Sequence, residues 1–172
     1  MILGLDISTS ITGLCVLDDD GNIISTDYID LRKEKDFFKK VKKAKEIIGA
    51  TIKEKNIKEV WIEQSLQAFR PGLSSAKTLL TLAKFNGILS WTIWESGITP
   101  EYVGASSARK TCGIKVPKGE KAKNVVVNFL LDNEPSFDVE YTKFGNVKQH
   151  FFDIADAVIV AKAGFICRAQ KS

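Results

Sequence analysis

The hydrophobic pattern of this chain changes from strand-like runs to a helical period between residues 31 and 36, and that change confines it to a mixed α/β architecture. Up to Leu31 the apolar residues come in short runs, 2–5, 14–17 and 23–31, separated by Ser, Thr and Gly and by the turn signal Asp18-Asp19-Asp20-Gly21-Asn22. Short runs bounded by turn residues predict strands, and three in succession predict an antiparallel meander. From Asp36 to Lys55, Phe37, Val41, Ala44, Ile48 and Ile52 recur at steps of four, three, four and four, with lysines between them. That period is helical. Val60-Trp61-Ile62 then predicts a short buried strand that delivers Glu63 at its C-terminal end.

The remaining segments alternate in the same way. Ala76, Leu79, Leu80, Ala83, Ile88, Trp91 and Ile93 give a helix over 74–94 with a broad apolar face, which Gly97 stops. Trp61, Trp91 and Trp94 are expected in the core. Tyr102 to Ala105 predicts a fifth strand after Pro100, and two further helices are expected at 120–132 and 150–168, separated by a polar loop from Asn133 to Asn146 dotted with aromatics. The order β-β-β-α-β-α-β-α-α predicts one α/β domain over residues 1–172, three antiparallel strands first and helix-linked parallel strands after them. No stretch reaches the roughly 18 apolar residues of a membrane span and no signal-peptide pattern opens the chain, so a cytoplasmic protein without membrane contact is expected. Cys15, Cys112 and Cys167 lack zinc-like spacing and sit in or beside apolar segments, as reduced structural cysteines do.

The net charge of +4 conceals a polarised chain. Residues 32–58 hold 11 basic and 4 acidic side chains, residues 109–123 hold 6 and 1, and the rest of the chain is acidic on balance. Arg109, Lys110, Lys115, Lys118, Lys121 and Lys123 flank a loop from Gly113 to Gly119. Flexible cations of that kind can follow a phosphate backbone, which assigns them to DNA. The lysines of the 36–55 helix read instead as an ordinary solvated face.

Four carboxylates stand apart from the surface acids. Asp6 ends the apolar run Met-Ile-Leu-Gly-Leu-Asp, Glu63 ends Val-Trp-Ile-Glu, and Asp153 and Asp156 interrupt the apolar stretch 151–161 three residues apart, on one helix face. A buried unpaired carboxylate costs several kcal/mol, so four in apolar surroundings call for a shared compensating charge. Hard oxygen donors without a Cys or His cluster suit Mg²⁺, with Mn²⁺ substituting. Two such ions per site would activate water and stabilise the leaving oxygen of a phosphodiester. His150, the single histidine, precedes Asp153 by three residues. An outer-shell ligand, a proton shuttle and a helix-start residue bonded to a carbonyl are the readings open to it.

The segments Asp6-Ile7-Ser8-Thr9-Ser10-Ile11-Thr12-Gly13, Ile62-Glu63-Gln64 and Asp153-Ile154-Ala155-Asp156-Ala157 resemble, in register over nearly the whole chain, the three acidic motifs of RuvC-type Holliday-junction resolvases. The resemblance implies an RNase H-like fold with a mixed five-stranded sheet. It implies a metal-dependent endonuclease that resolves branched DNA and leaves 5′-phosphate ends. Asp6, Glu63, Asp153 and Asp156 take the places of the catalytic metal ligands, and Lys110 and Lys121 those of basic residues near the scissile phosphate. A homodimer through the helix from Ser74 to Trp94 is implied as well. Two positions depart from the pattern: Ser8 stands where bacterial members usually have Gly, and Leu66 where they have an aromatic junction wedge. Phe69 or Arg70 is available to replace the wedge, although Phe69 can equally fold back onto the core. Competing readings are an RNase H-like enzyme for forks, flaps or hybrids, an actin-like ATPase fragment suggested by Asp6 with Ser8, Thr9, Ser10 and Gly13, and a DNA-binding module without catalysis.

Overall fold

A computed structural model describes residues 1–64 and 75–171. Its N-terminal meander comprises β1 (Ile2–Asp6), β2 (Ile11–Leu17) and β3 (Ile23–Asp30). The Asp18 carboxylate closes the turn between β2 and β3, accepting the backbone N–H of Asn22 at 2.7 Å and of Asp20 at 3.0 Å. Helix α1 (Phe37–Glu54) starts where Asp36 caps it, the carboxylate accepting the Lys39 N–H at 2.8 Å. There follow β4 (Glu59–Glu63), α2 (Ala76–Glu95), β5 (Glu101–Val103), α3 (Ala105–Thr111), α4 (Ala122–Asn133) and α5 (His150–Lys171).

The strands form one sheet in the order β3-β2-β1-β4-β5. β1, β2 and β3 are antiparallel neighbours, whereas β4 runs parallel to β1 and β5 parallel to β4. This is the mixed sheet expected from the sequence. Alternation along the strands then divides the apolar residues between two cores. Leu3, Leu5, Val16 and Ile62 pack with α1 and α2 on one face, while Ile2, Cys15, Leu17 and Trp61 pack with α3, α4 and α5 on the other. Helix α1 buries Val41, Ala44, Ile48 and Ile52 as its period predicts. Two of its lysines strap it to the strands: Lys40 donates to the Thr9 carbonyl at 2.5 Å and Lys43 to the Asp30 carbonyl at 2.9 Å.

Three expectations need correction. The fifth strand ends at Val103, and Ala105 opens α3, a helix of seven residues that is too short to display a period and has Gly104 in place of a side-chain cap. Strand β2 begins at Ile11, three residues early, because Thr12 and Gly13 lie in the sheet. Helix α2 turns a different face inward: Phe85, Asn86, Leu89, Thr92 and Ile93 are buried, while Leu80, Trp91 and Trp94 are exposed by 62%, 57% and 54%. Apolar residues surround this helix on nearly all sides, so its period cannot choose a face. The cysteines are free as expected, Cys15 buried and the other two half-buried. Among the described residues no helix is long and apolar enough to cross a membrane.

Helix α5 lies directly against the middle of the sheet, and two strand glycines set how closely. A Cβ on Gly13 would meet the Asp153 carbonyl oxygen at 2.0 Å, and one on Gly4 the Ala157 carbonyl oxygen at 2.4 Å. Both obstacles are helix backbone, which cannot rotate aside. Gly49, in α1, has nothing within 4 Å of such a Cβ. Gly13→Ala is therefore expected to lower stability by about 2 kcal/mol, a fall in Tm of roughly 4–8 °C for a chain of this size. Gly49→Ala is expected to raise Tm slightly, since Ala is favoured over Gly in a helix by about 1 kcal/mol. Thermal melts of the two variants check the opposite signs.

Candidate active site

Strand register brings the first two carboxylates together. Leu5 pairs with Ile62 across the parallel β1–β4 ladder, so the next residues, Asp6 and Glu63, end neighbouring strands side by side. Asp6 also pairs with Gly13, Gly13 with Tyr28, and Glu63 with Val103. One row thus crosses the sheet as Tyr28, Gly13, Asp6, Glu63 and Val103, on the face that carries α5. The N-terminal end of α5 sits over this row, its Asp153 carbonyl above Gly13. Asp153 and Asp156 are thereby brought over Asp6 and Glu63. Asp153 also lies in the first helical turn, where the partial positive charge of the helix end favours an acid.

The four acids feel one another strongly. Burial holds the Asp6 carboxyl well above its usual range, and the charges of Glu63, Asp156 and Asp153 push it the same way. Glu63 is pushed up to about 7, chiefly by burial and then by Asp156, against the lowering pull of Arg109 and Lys123. Asp153 and Asp156, only 16% and 15% exposed, are raised mainly by burial. The Lys123 ammonium stands 3.9 Å from a carboxylate oxygen of each. Lys123 and Arg109, with Arg32 and His150 acting on Asp153, still leave all four carboxyls raised, so the cluster is short of positive charge.

That shortage fits a divalent cation in its chemistry: every donor is a hard carboxylate oxygen. The side chains as placed do not form a finished cage, because among the described residues no three His, Cys, Asp or Glu groups are gathered to hold one metal ion. The acids are electrostatic neighbours, and to hold an ion their rotamers would have to close onto it.

The other sequence-predicted site residues lie around this cluster. Arg109, half-buried at the end of α3, and Lys123, in the first turn of α4, are the two of these basic residues whose charge reaches the acids, and Arg32, just after β3, reaches Asp153 as well. Lys110, Lys115, Lys118 and Lys121 are exposed, on α3, along the following loop and at the start of α4. Phe69, Arg70 and Leu66 lie outside the described residues. His150 opens α5, its ring stacked on Tyr28 at 4.1 Å and tilted against Phe151 at 4.5 Å. It makes no hydrogen bond to any described residue, so a bonded helix-start role is not what holds it. Burial lowers its pKa, while Asp153 favours its charged form.

Tyr28, Gly4 and Gly13 escape a search for chemical groups, because they act by placing others. The signal that marks the glycines is their isolation inside apolar strands, where a missing side chain denotes close backbone approach.

No family model and no curated protein matches the chain. Solved structures do. Thermus thermophilus RuvC superposes with a TM-score of 0.68 at 14% identity, over 98% of this chain and 96% of that one. The same protein in complex with Holliday junction substrate gives 0.67 at 14% identity, over 98% and 94%. The yeast mitochondrial Holliday junction resolvase Ydc2 gives 0.66 at 16% identity, over 98% and 79%. The chain has the RuvC fold. Within it, the row of strand-end acids and the helix that crosses them make up the candidate site.

The raised carboxyl groups fix the sign of a pH effect. A folded protein that holds protons more tightly than its unfolded chain is most stable below the unfolded pKa and loses that stability as pH rises through the folded pKa. For Glu63 this window runs from 4.5 to about 7. Asp6→Asn removes a repelling charge and is expected to raise Tm in EDTA at pH 8, by about 3 °C per ~1 kcal/mol relieved. The gain should shrink toward pH 5. Melts of the variant and the parent at the two pH values measure it, and a lower Tm at pH 8 would contradict the electrostatic account.

Proposed function

We propose that the protein is a metal-dependent endonuclease that cuts branched DNA, with four-way junctions as its principal substrate, and that it works as a homodimer. The observation that carries this reading is the convergence of Asp6, Glu63, Asp153 and Asp156 on one row of a RuvC fold. The similar structures support it, since one of them is a RuvC bound to Holliday junction substrate. Asp6, central in the row and beside Glu63, would hold two Mg²⁺ ions together with Glu63, Asp153 and Asp156. Bound there, the ions supply an activated water and a stabilised leaving 3′ oxygen, which yields a 5′-phosphate end. The chain's own contribution is position and charge. Lys123 and Arg109 offset part of the acidic field at the point where a phosphate must approach, and the exposed Lys110, Lys115, Lys118 and Lys121 hold neighbouring phosphates.

Cleavage of a synthetic four-way junction, a fork, an RNA/DNA hybrid and a linear duplex, in Mg²⁺, Mn²⁺ and EDTA, tests the reading. The junction should be cut fastest and only with metal. Asp6→Asn, Glu63→Gln, Asp153→Asn and Asp156→Asn should each bind it and cut it slower by roughly 10²–10³-fold, the loss typical of one electrostatic element. Preference for the fork or hybrid would transfer the activity to another RNase H-like substrate. Undiminished cutting by the variants would remove the site.

The outer face of α2 supports the homodimer. Leu80, Trp91 and Trp94 are exposed there, the two indoles stacked at 4.9 Å, and Phe38, Ile88 and Trp91 line an almost wholly apolar groove beside them. An apolar surface of this kind, rich in aromatics, resembles the core of a protein interface. Trp91→Glu should give a folded monomer by analytical ultracentrifugation that nicks single strands but no longer makes paired cuts in a junction.

A further inference from the structure

A cavity of about 860 Å³ lies beside the acidic cluster, between the start of α4 and residues 145–147. Its size falls within the roughly 300–1,000 Å³ of ligand-binding clefts. Its lining combines three chemistries: the ammonium groups of Lys121 and Lys123, the amides of Asn124 and Asn128, and the apolar surfaces of Val127 and Phe152. Lys123 also faces Asp153 and Asp156 at 3.9 Å, and Phe152 directly precedes Asp153. The cavity therefore adjoins the candidate catalytic centre.

Its far wall is a built hairpin. Tyr141 and Val147 form an antiparallel bridge, the Thr142 N–H donates to the Asn146 carbonyl at 2.7 Å, the Lys148 N–H donates to the Glu140 carbonyl at 2.9 Å, and the Lys148 and Glu140 side chains pair as ions. At the tip, Phe144 is 77% exposed, more than any other large apolar side chain described, with the Lys143 ammonium 4.9 Å from its ring centroid. Most of this ring is left uncovered by the fold, and it is presented on a hydrogen-bonded support. The ring is not part of the cleft lining; it sits beside Lys143 on the hairpin whose residues 145–147 line the cleft. An apolar ring on the wall of a cleft of lysines and amides is a combination that engages an unpaired nucleotide: the ring stacks on a base, the amides offer donors and acceptors to its edge, and the ammonium groups meet phosphate.

We infer that this cleft is a nucleotide subsite, in which Asn124 and Asn128 receive one unpaired base of the strand being cut, Lys121 and Lys123 hold its phosphate, and Phe144 stacks on the adjoining base. The subsite rests on the nuclease reading for the identity of its ligand. It would let the enzyme sense an opened strand on the α4 side of the centre, independently of residues 65–74. A fully paired duplex occupies the Watson–Crick edges that the amides would read and the base face on which the ring would stack, so it gains nothing from the cleft.

Fluorescence anisotropy in EDTA, where binding is read without cutting, tests this on a labelled duplex carrying one unpaired nucleotide and on its fully paired counterpart. Phe144→Ala should weaken binding of the first about tenfold, in the range of one lost base stack, and leave the second unchanged. Phe144→Tyr should retain the affinity, and Asn128→Ala should reduce it on the unpaired substrate alone. Equal affinity of wild type and Phe144→Ala for the unpaired substrate would overturn the subsite, and so would an equal loss on both duplexes. Junction cleavage by the wild type in Mg²⁺ separates the two readings. Cleavage together with unaltered Phe144→Ala binding removes the subsite alone, whereas Phe144-dependent binding without cleavage of any DNA removes the nuclease reading and leaves the subsite standing.

Discussion

The close seating of α5 on β1 and β2 is the contact on which the rest of the molecule depends. Side chains on both surfaces normally keep a helix about 10 Å from a sheet. Here Gly4 and Gly13 remove the side chains on the strand side, and the helix carbonyls of Ala157 and Asp153 occupy the vacated space. The seating buries the central part of the helix completely, from Ala157 to Ala161. It also fixes the helix along its axis, which decides what its first turns stand over. Asp153 and Asp156 meet Asp6 and Glu63 because Gly13 is Asp6's partner in the ladder.

The same seating creates an electrostatic problem on which the proposed function rests. Four carboxylates withdrawn from water raise one another's pKa, and Lys123 and Arg109 relieve only part of the strain. A core of this size can tolerate such a cost, because it is distributed over two apolar layers that enclose the sheet. What results is a site short of positive charge: in the proposed function a divalent cation would gain from the carboxylate oxygens, and a phosphate would meet lysines already in place. The polarised composition has its structural counterpart here, with the basic segment 109–123 bordering the acidic row. The other basic segment, on α1, is partly occupied with holding that helix to the sheet through Lys40 and Lys43.

Much of this was legible residue by residue. Helix α1 displays its period openly because lysines mark its wet face, and the acids are visible because each ends or interrupts an apolar run. Helix α2 is the counterexample. With apolar groups nearly all round, its sequence predicts burial of Trp91 and Trp94, and packing instead chose Phe85, Leu89 and Ile93. Helix α3 is invisible for a different reason, being two turns long without a side-chain cap. His150 shows the limit for single residues: its spacing from Asp153 shows that it can feel that acid, as it does, but not that β3 supplies Tyr28 for its ring to stack on.

By itself the sequence determined every described element but α3, their order and the identity of the four acids, because hydrophobic period and the cost of burying charge act locally. Only the tertiary structure decided the parallel register that sets Asp6 beside Glu63, the height of α5 above Gly13, the choice of Lys123 and Arg109 among six nearby cations, and the cleft between α4 and the Phe144 hairpin. Each of these joins residues far apart along the chain. Their spacing is set by backbone packing against backbone, for which a one-dimensional pattern carries no ruler.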